Sequence, residues 1–138
     1  MNKIKGVFFD LDGVLVEAKM IHYDALNEAL PEQYEISWKD HLSIYDGLKT
    51  NQKLDMLHQR KGMPKSIFKS VWEKKQEITQ LKLSGLKADS ELQAVFKTLK
   101  DRGVKVAVCS NSIRATVVTV LSKLALIELV DFFVSNED

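Results

Sequence analysis

Apolar residues recur along this chain with two different periods, and the changes of period divide it into elements. Val7, Phe8 and Phe9 form a short apolar run that stops abruptly at Asp10-Leu11-Asp12-Gly13, the pattern of a buried strand delivering acids to its carboxyl end. From Met20 to Leu30 the spacing is helical, with Ile21, Ala25, Leu26, Ala29 and Leu30 on one stripe and Pro31 as the stop. A second short helix is expected over 37–42. Asp46-Gly47 marks a turn, after which Thr50 or Asn51 caps a helix that runs to about Arg60 and ends at Lys61-Gly62. Pro64 suits the first turn of the next helix, with Ile67, Phe68, Val71, Trp72, Ile78 and Leu81 on its buried side. Asp89 or Ser90 then caps a helix carrying Leu92, Val95, Phe96 and Leu99 on one face, and Gly103 ends it.

Val104 to Cys109 is a second buried run, followed by Ser110-Asn111-Ser112. Ser112 is the expected N-cap of a helix from Ile113 to about Leu124. Thr116, Val117, Val118, Thr119 and Val120 are weak helix formers, so tertiary packing must hold that helix. Asp131 to Ser135 reads as a third strand. A parallel crossover needs about a dozen residues, and the helix over 89–102 already supplies them. Residues 18–86 are therefore surplus and read as an inserted helical cap, leaving 1–17 and 87–138 as an α/β core. Three β units joined by helices predict a doubly wound parallel sheet of the Rossmann type, with its site outside the carboxyl ends of the strands.

Composition narrows the function. Twenty basic and 19 acidic residues leave a net charge of +1, which provides no global field for nucleic acid and points to a small-molecule partner. The apolar runs fall well short of the ~18 residues of a membrane span, so no membrane partner is expected. Met1-Asn2-Lys3-Ile4-Lys5 runs straight into the first strand and leaves no room for a signal peptide, which makes a cytoplasmic protein the expectation. Cys109 is the single cysteine and reads as a packing thiol.

The candidate chemistry sits at the strand ends. Side chains alternate along an extended backbone, so Asp10 and Asp12 project the same way while Leu11 turns back. Two like charges in one site cost free energy unless a divalent cation binds or one carboxyl stays protonated. A calcium loop of the EF-hand type needs a ligand at its fifth position and Gly at the sixth; here the fifth is Val14 and Gly13 comes fourth, so that reading fails. A receiver domain carries its phosphate acceptor on a later strand. With Ser112 as N-cap, the first-turn donors of the following helix would face an anion at the strand ends. His22, His41 and His58 lack metal-ligand spacing and read as packing or surface residues. Trp38 and Trp72 read as core anchors, and Lys74-Lys75, between Glu73 and Glu77, as a solvated face. Lys49 and Lys53 are candidate contacts to a substrate phosphate.

Phe9-Asp10-Leu11-Asp12-Gly13-Val14-Leu15 resembles the first motif of the haloacid dehalogenase-like (HAD) superfamily. The resemblance implies that Asp10 is the nucleophile and Asp12 the general acid/base. Ser110 resembles the second motif, whose hydroxyl binds the transferring phosphoryl group, with Asn111 and Leu11 as further phosphate-binding positions. Mg2+ would be held by Asp10 and Asp12. His22-Tyr23-Asp24-Ala25-Leu26-Asn27-Glu28-Ala29-Leu30 and Asp46-Gly47-Leu48-Lys49-Thr50 resemble the β-phosphoglucomutase-like subgroup, whose helical cap covers the site and selects substrate. The implied activity is magnesium-dependent hydrolysis of a small phosphorylated metabolite through an aspartyl-phosphate. A phosphomutase would share these residues; a dehalogenase would need Asp10 but not Asp12; a non-catalytic truncated protein or interaction module is the reading from a different class. The family's third-motif Lys and fourth-motif acidic pair are not found. The resulting expectation is a core lacking its C-terminal part, with an open apolar edge at Val7-Phe8-Phe9, that self-associates or requires a complementing C-terminal half and has little activity alone.

Overall fold

The computed structural model describes residues 3–138. Along the chain lie β1 (Gly6–Asp10), α1 (Lys19–Ala29), α2 (Trp38–Asp40), α3 (Thr50–Lys61), α4 (Phe68–Leu83), α5 (Ser90–Asp101), β2 (Lys105–Cys109), α6 (Arg114–Lys123) and β3 (Phe132–Val134). They form two compact units, one of residues up to Glu17 with Leu83–Asp138, the other Ala18–Lys82. The divisions fall at 17/18 and 82/83, against a sequence expectation of 17/18 and 86/87. Among the described residues no helix is long and apolar enough to cross a membrane.

The first unit is a parallel three-stranded sheet in the order β1-β2-β3. Gly6 pairs with Lys105 and Asp10 with Cys109, while Ala107 pairs with Phe132 and Cys109 with Val134. This register puts Val7, Phe9, Val106, Val108 and Phe133 on one face. Phe96 of α5 stacks on Phe9 there, with centroids 4.8 Å apart, and Arg114 of α6 lies 4.7 Å over the Phe133 ring. Both crossover helices thus share a face. That is what right-handed connections require when successive strands are added in one direction.

The opposite face carries Phe8 and Phe132, edge to face at 6.2 Å and 70% and 50% exposed. The sequence expectation of a fully buried first strand is corrected here, because β1 is an edge strand whose alternate residues lie on the face away from the helices. Val95 is likewise exposed, and Phe96 is the only fully buried residue of α5. Asp89 caps α5 by accepting from the Leu92 N–H at 3.0 Å, and Gly103 leaves the helix at φ +73. Thr116, Val117, Val120 and Leu121 are buried, so packing does hold the β-branched helix α6. At the start of β3, Asp131 accepts from the Val106 N–H at 2.8 Å while its own N–H donates to the Val106 carbonyl.

The second unit packs α1, α3 and α4 around Leu26, Leu30, Ile36, Tyr45, Leu54, Leu57, Met63 and Val71. The Asn27 amide secures the loop after α1, donating to the Ile36 carbonyl and accepting from the Ile36 N–H, both at 2.9 Å. The short helix expected over 37–42 is α2 continued as a wider π turn, His41–Tyr45. Lys49, rather than Thr50 or Asn51, is the N-cap of α3, and the Gln52 side chain reaches back to its N–H at 3.0 Å. Helix α4 departs furthest from its apolar pattern. Leu81 is 67% exposed, whereas Val71, Lys75, Gln76, Thr79 and Leu83 are buried. Positions 71, 75, 79 and 83 stand four apart on one stripe, so Lys75 turns inward while Lys74, about 100° round the helix, stays exposed. The solvated-face reading of Lys74-Lys75 fails for Lys75. Trp72 is partly buried against the core, but Trp38 is an exposed-edge residue stacked on His41 rather than a core anchor.

Candidate active site at the strand ends

Because Asp10 pairs with Cys109, the segments leaving β1 and β2 depart from the sheet side by side. One is Leu11-Asp12-Gly13, the other Ser110-Asn111-Ser112. The first is wound tightly: the carbonyl of buried Leu11 accepts from the N–H groups of Leu15 at 2.9 Å and Val16 at 3.2 Å. Gly13, at φ +78, donates its N–H to the Val16 carbonyl at 2.7 Å, a left-handed conformation that a side chain would resist. Asp10 Oδ1 accepts from the Leu11 N–H at 2.8 Å, so that expected phosphate donor is engaged by the carboxylate beside it.

The second segment meets the first. Ser112 Oγ donates to Asp12 Oδ2 at 3.4 Å, and the Ser112 N–H donates to Ser110 Oγ at 3.0 Å. Asp10, Asp12, Ser110 and Ser112 therefore gather at one end of the sheet, with Asp12 and Ser110 half-buried and Asp10 exposed. Asn111 is exposed, and its carbonyl accepts from Asn136 Nδ2 at 2.9 Å.

Ser112 does not cap α6. Ile113 stands at the N-cap, without a side-chain cap, and the Arg114 N–H of the first turn donates to Glu137 Oε2 at 2.9 Å. The anion expected at this helix start is thus a carboxylate of the protein's own chain. Asp138 accepts from the Ser135 N–H at 2.7 Å and its hydroxyl at 3.0 Å, and Arg114 Nη1 lies 3.5 Å away. The bonds from Ser135, then the Arg114 charge, hold the Asp138 carboxyl below its ordinary pKa. Asn136 donates its N–H to the Ser112 carbonyl at 2.9 Å. Residues 135–138 so brace the loop that brings Ser112 to Asp12. The sequence signal for Ser112 was its spacing: Ser110-x-Ser112 repeats the alternation of Asp10-x-Asp12.

As donors, Asp10 and Asp12 fit magnesium, a hard cation that takes one or two carboxylates and fills its octahedron with phosphate and water oxygens. Among the described residues no group of three or more His, Cys, Asp or Glu side chains is placed to hold a metal ion.

The profile of the family described as haloacid dehalogenase-like hydrolase matches residues 7–138. No curated protein matches the chain significantly. Among solved structures, β-phosphoglucomutase from Clostridium difficile is similar at a TM-score of 0.81 and 21% identity, over 95% of this chain and 61% of that one. A predicted phosphoglycolate phosphatase from Haemophilus somnus gives 0.80 and 18%, over 99% and 64%. CbbY from Rhodobacter sphaeroides, solved in complex with phosphate, gives 0.82 and 15%, over 99% and 65%. The chain thus spans a little under two thirds of the length of these structures, and at such identities the likeness establishes the fold.

Proposed function

The chain belongs to the haloacid dehalogenase-like hydrolase family, and from that premise we propose that it serves phosphoryl transfer, as a magnesium-dependent phosphomonoester hydrolase acting on a small phosphorylated metabolite. The observation that carries this reading is the convergence of Asp10, Asp12 and the Ser110-Asn111-Ser112 loop at neighbouring strand ends, tied by the Ser112–Asp12 hydrogen bond. The phosphate in the similar CbbY structure agrees with it.

In this reading a carboxylate oxygen of Asp10 attacks phosphorus in line. A P–O bond to Asp10 forms as the bond to the leaving oxygen breaks, and Asp12 gives that oxygen its proton. Water then attacks the aspartyl-phosphate, Asp12 takes its proton, and phosphate leaves with Asp10 restored. The Ser110 hydroxyl donates to the phosphoryl oxygens, whose negative charge must be met by fixed donors. Magnesium, held by Asp10 and Asp12, would neutralise part of that charge. The leucine between the acids stays buried, and its carbonyl anchors the turn that carries Asp12.

The test is a panel of phosphate monoesters assayed with and without magnesium, on the wild-type chain and on Asp10→Asn. Magnesium-dependent binding of beryllium fluoride by the wild type is the expected result, and whatever magnesium-dependent turnover the wild type shows, alone or with a complementing C-terminal half, should be abolished by Asp10→Asn. Turnover unchanged in Asp10→Asn overturns the assignment.

A further inference from the structure

Two consecutive peptide groups of the Ser110-Asn111-Ser112 loop are held by one residue from beyond the end of β3. Asn136 Nδ2 donates to the Asn111 carbonyl at 2.9 Å, and the Asn136 N–H donates to the Ser112 carbonyl, also at 2.9 Å. A peptide unit is planar and trans, so its carbonyl and the N–H that follows point in opposite directions. Fixing the Asn111 carbonyl therefore fixes the Ser112 N–H, and that N–H is the group that donates to Ser110 Oγ at 3.0 Å. The start of the loop is tied as well, since the Ser110 N–H donates to the Val134 carbonyl at 3.0 Å.

The consequence falls on the Ser110 hydroxyl. A serine oxygen carries one donor hydrogen and two lone pairs. With a lone pair taken by the Ser112 N–H, Ser110 Oγ is held in one place and its O–H is left to be offered to a phosphoryl oxygen. Were the 111/112 peptide to rotate, the Ser112 N–H would withdraw, and the serine side chain would be free to change its staggered rotamer. Asn136 is itself placed by a closed turn. Ser135, 4% exposed, donates its N–H and its hydroxyl to Asp138 Oδ2 at 2.7 and 3.0 Å, and its Oγ accepts from the Glu137 N–H at 3.2 Å. Arg114 ties this turn to the start of α6, through its N–H to Glu137 and its guanidinium near Asp138. A side chain on a backbone so fixed loses little freedom in making its bond, the condition for a group that positions another.

We propose that Asn136 is a positioning residue for phosphoryl transfer: its amide, acting through the Asn111–Ser112 peptide, aims the Ser110 hydroxyl at the transferring group. The inference rests on the phosphoryl-transfer reading of the strand-end site. What the position requires is the amide donor and not the volume of the side chain. An aspartate of the same shape would turn a carboxylate oxygen toward the Asn111 carbonyl and repel it.

The experiment measures magnesium-dependent binding of beryllium fluoride to the full chain, with exchange of the Ser112 amide followed by NMR. Asn136→Asp should weaken binding about tenfold and Asn136→Ala about threefold, since water can replace the lost donor in the second case. Both effects should shrink below about twofold in a Ser110→Ala background, because a residue acting through that hydroxyl has nothing to act on once it is gone. In the ligand-free chain the Ser112 amide should exchange faster in both variants. Equal weakening with and without the Ser110 hydroxyl assigns Asn136 a general structural role and overturns the proposal. Unchanged binding in Asn136→Asp, or an unchanged Ser112 exchange rate, overturns it too. Should the aspartate variant unfold, the alanine pair of measurements decides by itself. A wild type that binds no beryllium fluoride overturns the phosphoryl-transfer reading and the inference with it. Binding by the wild type that is insensitive to Asn136 leaves that reading standing and removes the inference alone.

Discussion

Replacing Phe96 by Ala tests how the strand that carries Asp10 is held. Phe96 is fully buried, and its ring lies 4.8 Å from that of Phe9, the residue immediately before Asp10. Truncating a buried Phe to Ala costs about 3–5 kcal/mol, and an aromatic pair contributes ~0.5–1.5 kcal/mol beyond its buried area. Phe96 is the one fully buried residue of α5, so little else on that helix offsets the loss, and a cost near ~4 kcal/mol is expected. Against the ~5–15 kcal/mol typical of a domain, that is a large fraction. With a urea slope of ~2 kcal/mol per molar, the unfolding midpoint should fall by about 2 M, measured on the full chain by far-UV circular dichroism. Phe96→Leu, which keeps most of the volume, should cost less than ~1.5 kcal/mol. Val95→Ala, at a position 48% exposed, should stay within ~0.5 kcal/mol. If Val95→Ala cost as much as Phe96→Ala, α5 would be docked in a different rotation and the account of the β1 platform would fall.

Three further predictions concern the site and its supports. Asp12→Ala should slow formation of the aspartyl-phosphate by ~10²–10⁴-fold for alkyl phosphates and much less for aryl phosphates, whose leaving group departs unaided; rapid mixing showing equal loss for both would remove Asp12 as the acid. Ser112→Ala should lower kcat about fivefold, the equivalent of ~1 kcal/mol for a hydrogen bond to a carboxylate as long as 3.4 Å, with Ser112→Thr restoring it and KM little changed; a Thr variant as slow as Ala would argue against positioning through the hydroxyl. Asp131 is held below its ordinary pKa of 3.8 first by the Val106 N–H and then by Lys105. Its stabilising contribution is therefore complete above 3.8 and disappears as pH falls from there through the lower folded value. Asp131→Asn should shrink the drop in urea midpoint between about pH 6 and about pH 2.5, and an undiminished drop would contradict this.

Local chemistry makes much of the architecture readable in the sequence. Strand β1 ends where apolar residues give way to Asp10, α1 ends before Pro31, α3 leaves through Gly62 at φ +70, and Asp89 caps α5. Each depends on a preference of one or two residues: a missing N–H, a tolerated left-handed backbone, a side-chain acceptor. The pattern Asp10-x-Asp12 after an apolar run points to acids at the carboxyl end of a strand, and in the structure β1 ends at Asp10 with Asp12 in the turn beyond it, while the helical crossover brings Ser110 to the next strand end. What the chain order could not express was which surfaces face one another. Phe8 has the composition of a buried strand residue, yet it is exposed because both crossover helices lie on the other face of the sheet. Ser112 looks like a cap, but Glu137, distant in sequence, takes the helix start and leaves the Ser112 hydroxyl to Asp12. Lys75 reads as a surface charge beside Lys74, and only the rotation of α4 within its unit turns it inward to His22. These three side chains are governed by long-range packing, in which a contact is selected by the positions of whole elements and not by the residues next to it in the chain.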